Sequence, residues 1–306
     1  MASVEGLRGA YELVGGLAHF GRMLDKIRLH AKGKLPADYV PFLGVEDRTS
    51  FDGRICRSLR IDYSELAERT KRGGGDDEIL EWAYSRGRKP SEEEIEIITA
   101  FISKRGWRDE ASEGLRRSAA EAGIPAGAAL TFPDLMDLEE GRPLRFGADP
   151  PPFSGKLQPS ASIDGLRSPY EKVGGIVHFG RMLDKIRIHR EGRLPSAWVS
   201  AMGGDKNFDG ICCRFLDIGY PQIAGEALKG GRDEDLLEWA FARGRKPSDE
   251  EILIWNAYLS KRGWRDQYTS RLHFRLEEAG MPIGAALTMF DYIDMDEGRP
   301  LRYSIR

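Results

Sequence analysis

The sequence predicts an all-α fold that is built twice. Residues 6–40 match residues 165–199 at a constant offset of 159, and from Phe51 and Phe208 onward the offset is 157. Within each copy, apolar residues recur at intervals of three and four, which is typical of amphipathic helices. Only residues 51–59 have the character of a strand, and one strand per copy cannot make a sheet. We therefore expect two homologous helical domains.

The domain boundary is predicted at a proline-rich stretch. The 306 residues suit two domains of ordinary size. Residues 147–162, GADPPPFSGKLQPSAS, favour an extended linker because they contain three consecutive prolines. The first domain then covers 1–146 and the second covers 163–306. Duplication of a single-domain ancestor favours a pseudo-twofold packing of the two halves.

A long first helix is predicted from the capping box Ser168-Pro169-Tyr170-Glu171. Gly15-Gly16 and Gly174-Gly175 fall inside this helix, where they indicate a kink or a close helix crossing. The apolar face of the helix in the second copy consists of Val173, Ile176, Phe179, Leu183 and Ile186. The corresponding face in the first copy consists of Leu13, Leu17, Phe20, Leu24 and Ile27.

Four further helices are predicted in each copy. The second begins at Asp76, and the third begins at a capping box on Ser91. The fourth covers 108–122, and a short fifth lies near 132–138. The sequence Phe51-Asp52-Gly53, which recurs at 208–210, is predicted to be a turn.

Composition argues against several classes of function. The 46 basic and 49 acidic residues nearly cancel, whereas proteins that bind nucleic acids or membrane surfaces usually carry a strong field of one sign. The N-terminal residues lack the features of a signal peptide, and no apolar run approaches the length of a membrane span. The odd count of 3 cysteines, without a CxxC pair, favours reduced thiols. We expect a cytoplasmic protein that binds neither nucleic acid nor membrane.

The polar residues of the predicted first helix lie on one stripe beside its apolar face. At about 100° per residue, His19, Met23, Lys26 and His30 fall close together, with Arg22 just beyond them. Asp25 lies on the far flank. The second copy repeats the stripe with Arg181, His178, Met182, Asp184, Lys185 and His189.

Spacing argues against the simplest metal site. His19 and His30 are about 16 Å apart along a helix, so they cannot bind one ion. The sequence contains no HExxH motif and no calcium-binding loop. We expect neither a metal nor a cofactor.

Two interpretations of the polar stripe remain open. Arg22, Lys26 and His30 place three donors along one face, which suits a carboxylate or a phosphate. Asp25 could then orient an arginine or transfer a proton beside a histidine. Alternatively, Asp25 pairs with Arg22 and Arg28 in a solvated ladder of ion pairs. The stripe is unchanged between copies although neighbouring positions differ, which a solvated face alone does not explain.

A second unchanged block, SKRGWRD, lies at 103–109 and 260–266. A tryptophan flanked by arginines can stack on a planar or apolar ligand. Equally, Gly106 can end a helix whose dipole the basic pair complements. The candidate ligand-binding residues of this block are Lys104, Arg105, Trp107, Lys261, Arg262 and Trp264.

The motifs MLDKIRLH, FDGxxCR, GRKPSxEE and SKRGWRD resemble an uncharacterised bacterial family of short helical proteins, a domain of unknown function. The resemblance covers both halves, so it implies a tandem fusion of what is commonly one domain. It implies an all-α fold and no particular activity. His19 and His178 depart from the family pattern, which usually has an apolar residue there. They are therefore candidates for an activity that is special to this chain.

The sequence thus predicts a protein with a basic, histidine-lined pocket for a small anionic ligand. The expected enzyme type is a lyase, isomerase or cyclase that uses acid–base chemistry without a metal, because no nucleophile or cofactor motif is present. The alternative is a non-catalytic module that binds a partner bivalently. Either a monomer with pseudo-dimeric halves or a homodimer is expected. The candidate proton-handling residues are His19, Asp25, His178 and Asp184, and the ligand would be held by Arg22, Lys26, His30, Arg181, Lys185 and His189.

Overall fold

The computed structural model describes residues 3–44, 49–151 and 162–303. The chain divides into two compact units, Met1–Gly147 and Ala148–Arg306. Residues 152–161 of the predicted linker lie outside the described residues. In the part of the chain that is described, no helix is both long and apolar enough to cross a membrane.

Each unit begins with a small hairpin and continues as helices. The first unit contains β1 (Leu13–Val14), β2 (Leu17–Ala18), α1 (Phe20–Ala31), a 3-10 helix (Ala37–Phe42), α2 (Phe51–Leu59), α3 (Tyr63–Lys71), α4 (Asp76–Arg86), α5 (Glu92–Ser103), α6 (Ser112–Glu121) and α7 (Phe132–Glu139). The second unit contains β3 (Lys172–Val173), β4 (Ile176–Val177), α8 (Phe179–Arg190), α9 (Ser196–Val199), α10 (Phe208–Phe215), α11 (Tyr220–Ala227), α12 (Asp233–Arg243), α13 (Asp249–Ser260), α14 (Thr269–Glu278) and α15 (Met289–Asp296). The prediction of an all-α fold in two homologous copies is confirmed.

The predicted start of the first helix is wrong. Residues 172–177 form the β3–β4 hairpin, and α8 begins only at Phe179. Val173 pairs with Ile176 across a two-residue turn, so cross-strand neighbours are three residues apart and imitate helical spacing. Gly174 and Gly175 have φ angles of +54° and +86°, which this turn requires and a right-handed helix forbids. They form a hairpin turn instead of a helix kink.

Several helix starts are where local signals place them. Helix α4 begins at Asp76, and α5 follows a complete capping box on Ser91. Residues 51–59, which have the character of a strand in the sequence, form helix α2. The Ser50 hydroxyl caps the N-terminus of this helix by accepting a hydrogen bond from the Gly53 amide at 3.0 Å. The FDG motif is therefore the first turn of a helix. Helix α3 has no counterpart among the predicted helices.

Candidate functional site

Helix α1 is buried on nearly all sides, and its charged residues are buried with it. Arg22, Asp25 and Lys26 expose only 3–6% of their surface, and α8 buries its corresponding residues equally. Met23 is fully buried in the core and does not belong to a polar surface stripe. Charges in such a place must be paired inside the protein. The stripe is therefore not a solvated face.

The histidine that precedes each of these helices has a left-handed backbone. His19 and His178 have φ angles of +67° and +69°, a conformation that is uncommon for a residue other than glycine. The His19 amide donates to the Ala10 carbonyl at 3.0 Å, and its carbonyl accepts from the Met23 amide at 2.9 Å. These bonds fix the turn between the hairpin and α1, and the turn directs the imidazole toward α2.

Each unit contains a buried cluster of one histidine, one aspartate and one lysine. In the first unit, His19 Nε2 lies 2.9 Å from Asp52 Oδ1, and Lys26 Nζ lies 2.8 Å from Asp52 Oδ2. The Gly44 amide donates to the same carboxylate at 3.2 Å. Because the aspartate occupies the first turn of α2, the cluster ties α2 to α1.

The second unit repeats this cluster. His178 Nε2 and Lys185 Nζ lie 2.8 Å and 2.6 Å from Asp209 Oδ1, and the Gly203 amide donates to Oδ2 at 3.3 Å. The lysine also donates to a backbone carbonyl in each unit, that of Phe42 at 2.8 Å and that of Ala201 at 3.3 Å. We call His178, Lys185 and Asp209, with their counterparts in the first unit, the His–Asp–Lys cluster.

Burial and pairing set the protonation states of the cluster. Burial lowers the pKa of His19 and of His178 to about 4, although the neighbouring aspartate opposes the shift. Burial alone would raise the pKa of Asp209, but Lys185 and His178 outweigh it and lower the pKa to about 2. At neutral pH the aspartate is therefore ionised and each histidine is neutral.

The neutral histidine keeps one nitrogen for another partner. Asp209 can only accept, so the Nε2 atom of His178 carries the proton and Nδ1 carries a lone pair. Within the described residues, neither His178 Nδ1 nor His19 Nδ1 has a hydrogen-bond partner. A buried acceptor of this kind can receive a proton or a hydrogen bond from a bound molecule.

A second buried carboxylate holds the arginine of the same helix. Glu140 accepts two hydrogen bonds from Arg22, one of them at 3.1 Å, and Glu297 does the same for Arg181, with one at 2.9 Å. A side chain of the 3-10 helix in the first unit, and of α9 in the second, adds a donor to each glutamate. Tyr39 donates to Glu140 at 2.9 Å, and the indole of Trp198 donates to Glu297 at 3.1 Å.

The structure places Asp25 and Asp184 outside these two clusters. Asp25 Oδ2 lies 2.6 Å from Arg8 Nε, and Asp184 Oδ2 lies 2.6 Å from Arg167 Nε. Arg28 approaches Asp25 at 3.5 Å, as the ion-pair interpretation predicts, whereas Arg22 pairs elsewhere. The proton-handling role of Asp25 and Asp184 stays a prediction.

The remaining predicted site residues are distributed differently. His30 and His189 are exposed at the ends of their helices. Trp107 and Trp264 are buried. The Arg108 guanidinium lies 4.5 Å from the ring centre of Trp107, and that of Arg265 lies 4.6 Å from the ring centre of Trp264. Lys104, Arg105, Lys261 and Arg262 are buried as well. In the described part of the chain, no group of three or more histidine, cysteine, aspartate or glutamate residues could hold a metal ion.

A cavity of about 360 Å³ lies in the second unit, against the His–Asp–Lys cluster. Residues of α8, α9, α10, α14 and α15, and residues next to these helices, line it. His178 and two carboxylates, Asp296 and Glu297, face it. Among the described residues its cationic lining consists of Arg181, Lys185, Lys206, Arg262, Arg271 and Arg275. Neither Asp184 nor Trp264 belongs to the lining.

Aromatic rings form another part of the cavity wall. Trp198, Phe208, Tyr268 and Tyr292 all line it. The Arg262 guanidinium lies 3.6 Å from the centre of the Tyr268 ring, so the two planar groups are in close contact. The cavity thus combines many cationic donors with flat apolar surfaces.

The family model for a domain of unknown function, DUF5069, matches residues 4–142 and again residues 163–299. The chain belongs to this family. The tandem duplication that the motifs predict is confirmed. Comparison with curated proteins and with solved structures gives no match.

The two DUF5069 domains differ in charge at positions around the cavity. Arg271 and Arg275 of α14 correspond to Gly114 and Ser118 of α6, and Ala197 corresponds to Asp38. At every lining position with an aligned counterpart where the formal charge differs, the second DUF5069 domain is the more positive one. The His–Asp–Lys cluster and the lining cations Arg181 and Arg262 have counterparts in the first domain, but Arg271 and Arg275 belong to the second.

Sequence reasoning missed the central carboxylate of each cluster. Asp52 and Asp209 lie in the repeated FDG motif, so the signal was present but was interpreted as a turn. Glu140 and Glu297 lie in the repeated EGRPLR segment, with Asp296 preceding Glu297. Tyr268, Arg271 and Arg275 lie where the copies differ, and a search for unchanged residues passes over them.

Proposed function

We propose that the second DUF5069 domain binds a small anionic molecule in its cavity. The observation that carries this proposal is the cavity of about 360 Å³ with six cationic side chains and two carboxylates in its described lining. A carboxylate or phosphate matches such a lining because guanidinium groups donate paired hydrogen bonds to planar or tetrahedral oxyanions. Within the described ranges, Arg271 makes no ion pair of its own, so it can pair with the ligand.

The positions of the arginines in α14 indicate a binding function and not merely a higher positive charge in the second domain. Helix α6 carries two arginines, Arg116 and Arg117, which are adjacent in the chain and exposed, as Arg271 of α14 also is. Helix α14 also carries two, Arg271 and Arg275, but they are four residues apart and both line the cavity. The number of arginines is equal, and only their placement differs. Placement on one face at helical spacing suits a shared ligand.

We propose further that His178 transfers a proton to or from the bound molecule. Its ring lines the cavity, its Nε2 is held by Asp209, and its Nδ1 keeps a lone pair. Asp209 acts as the positioning residue, because its carboxylate lies 2.8 Å from Nε2 of the histidine. The chemistry is that of a lyase, isomerase or cyclase that moves a proton without a metal.

The alternative function, a bivalent interaction module, requires two equivalent faces. The two DUF5069 domains differ at Ala197, Arg271 and Arg275, which all line the cavity of the second domain. This difference favours a ligand site in one domain over two equal docking faces.

Binding is tested by thermal stabilisation with inorganic phosphate, pyrophosphate and citrate. A ligand at 100 times its Kd stabilises the folded state by about 2.7 kcal/mol, so the melting temperature of the wild type should rise. The variant Arg271→Gly/Arg275→Ser carries the residues of the first domain and should lose most of this rise. The control Arg116→Gly/Arg117→Ser removes the same charge from α6 and should behave as the wild type. An equal response of all three proteins contradicts the proposal.

Proton transfer is tested separately by solvent exchange. Citrate, the one probe of the three with carbon-bound protons, is incubated with the protein in D₂O, and the loss of its proton signals is followed by NMR. His178→Gln should bind the anion and abolish the exchange, since glutamine can donate to Asp209 but cannot accept and release the proton. If no ligand that binds exchanges protons, the catalytic part of the proposal is wrong and the binding part stands.

A further inference from the structure

The rings of the cavity show which kind of anion it can take. Tyr268 and Tyr292 replace Ala111 and Leu135 of the first domain. Both changes add an aromatic ring to the same cavity that gains Arg271 and Arg275. At two other lining positions the first domain has the ring, with Phe42 for Ala201 and Phe132 for Met289, so the second domain differs in where its rings lie. One of its two rings, Tyr268, lies directly against a lining cation, Arg262. Cations alone would suffice for a small inorganic anion, so this placement indicates a ligand with an organic body.

The contact between Arg262 and Tyr268 gives this body a flat surface. Arg262 is only 3% exposed, and its guanidinium lies 3.6 Å from the ring centre. In the first domain, Arg105 instead pairs with Glu110 at 2.8 Å, and the second domain has Gln267 at that position. The stack with Tyr268 is therefore specific to the second domain. Aromatic and guanidinium planes of this kind prefer planar partners.

Charge and size narrow the class further. Three of the six lining cations already have partners: Arg181 pairs with Glu297, Lys185 with Asp209 and Arg275 with the exposed Glu278. Arg271 and Lys206 make no ion pair with a described residue, so their two positive charges are available to a ligand. A dianion such as a phosphate monoester compensates both charges, whereas a singly charged ligand compensates one. A cavity of about 360 Å³ is at the small end of the range for organic ligands, which suits one ring with one charged group.

We infer that the ligand is an aromatic dianion, a single planar ring that carries a phosphate-type group. This inference rests on the proposed anion site. The dianionic group pairs with the arginines of α14, Arg271 and Arg275, and the ring lies against the aromatic wall that includes Tyr268 and Tyr292.

The experiment compares three probes by isothermal titration calorimetry of the full chain at pH 8. Phenyl phosphate has both features of the ligand, cyclohexyl phosphate has the charge without the planar ring, and benzoate has the ring with a single charge. A phosphate monoester carries nearly two charges at this pH because its second pKa is about 6. We expect phenyl phosphate to bind about tenfold more tightly than either of the others.

Two variants locate the effect. Tyr268→Ala and Tyr292→Leu take their residues from the first domain, which folds with them, and each should reduce the preference for phenyl over cyclohexyl phosphate. If the wild type binds these two phosphates equally, the inference of a planar ring is wrong. If it binds phenyl phosphate and benzoate equally, the inference of a doubly charged group is wrong. If none of the three binds, together with phosphate, pyrophosphate and citrate, the proposed anion site itself is wrong.

Discussion

At the scale of single residues, the two buried histidines depend on a backbone conformation that their residue type seldom adopts. A positive φ costs a residue with a Cβ about 1 kcal/mol or more. His19 and His178 both adopt it, and both thereby reach an aspartate on another helix. The same strained turn in two diverged copies indicates that the contact with the aspartate outweighs the cost.

The neutral state of these histidines predicts an acid-sensitive fold. Their pKa is about 4 in the folded protein and about 6.5 in the unfolded chain, so between these values the unfolded state binds more protons. Stability is complete above about pH 6.5 and decreases as the pH falls toward 4. From pH 7 to pH 5 we expect each histidine to remove about 2 kcal/mol from the free energy of unfolding.

Urea denaturation across this pH range checks the prediction. The pKa of His178 is about 4, and that of the neighbouring Asp209 is about 2, so the aspartate stays ionised while the histidine gains its proton. The double variant His19→Gln/His178→Gln should therefore flatten the pH dependence, whereas the exposed His189→Gln should leave it unchanged. A steep dependence that persists in the double variant would show that another group titrates.

The aspartate of the cluster should matter more to stability than any surface carboxylate. Asp209→Asn leaves Lys185 buried without its counter-charge, which costs about 3–5 kcal/mol. Adding Lys185→Met should recover part of the loss, because both members of the pair are then absent. Asp205→Asn, an exposed neighbour in the chain, should change the free energy of unfolding by less than about 0.5 kcal/mol. Equal effects of Asp209→Asn and Asp205→Asn in urea denaturation would contradict the role of the cluster.

At the scale of elements, the hairpin before α8 explains how a helical pattern can mislead. Val173 and Ile176 are cross-strand partners three residues apart, which satisfies the same spacing rule as one turn of a helix. Only the pair Gly174-Gly175 distinguishes the two cases, since two adjacent glycines suit a two-residue hairpin turn. A capping-box pattern is not decisive by itself either, because the one on Ser168 precedes a hairpin, whereas those on Ser91 and Ser248 mark the true starts of α5 and α13.

The hairpin turn gives a prediction with an internal control. A Cβ on Gly174 would lie 2.2 Å from Leu237 Cδ2, and the residue that carries it would have to adopt a φ of +54°. Gly192 has a similar φ of +71°, but nothing lies within 4 Å of its Cβ position. We expect Gly192→Ala to cost about 1 kcal/mol and Gly174→Ala about 1–3 kcal/mol more. Equal losses in the free energy of unfolding would mean that Leu237 moves without cost.

At the scale of the whole molecule, the sequence allows the duplicated all-α fold to be predicted but not the partners within it. The duplication and the helix caps are signals contained within a few residues or repeated along the chain. The cluster partners are remote, since Asp52 is 33 residues from His19 and Glu140 is 118 residues from Arg22. Which carboxylate meets which cation depends on how the helices pack, and pattern alone does not contain that.

The overall charge likewise conceals the candidate site. A net charge of −3 indicates no attraction for anions, yet the cations of the second domain gather on one cavity. The difference between the two copies is more informative than their identity here. Unchanged residues mark the shared framework, and the replaced residues of α14 mark what the second domain adds to it.

Because the two domains share a framework and differ in the residues that line the cavity, we predict that substitutions can give the first domain the same site. The substitutions Asp38→Ala, Phe42→Ala, Ala111→Tyr, Gly114→Arg, Ser118→Arg and Leu135→Tyr give the first domain the arginines and tyrosines of the second domain's lining. The Cβ position of Gly114 has only Phe132 within 4 Å, at 3.9 Å, so a side chain fits there. Titration calorimetry with phenyl phosphate should show one site per chain in the wild type and two in this variant. Combining the variant with Arg271→Gly/Arg275→Ser should return the count to one, now in the first domain. If the variant with substitutions in the first domain alone still shows one site, the shared framework of the first domain cannot hold the ligand.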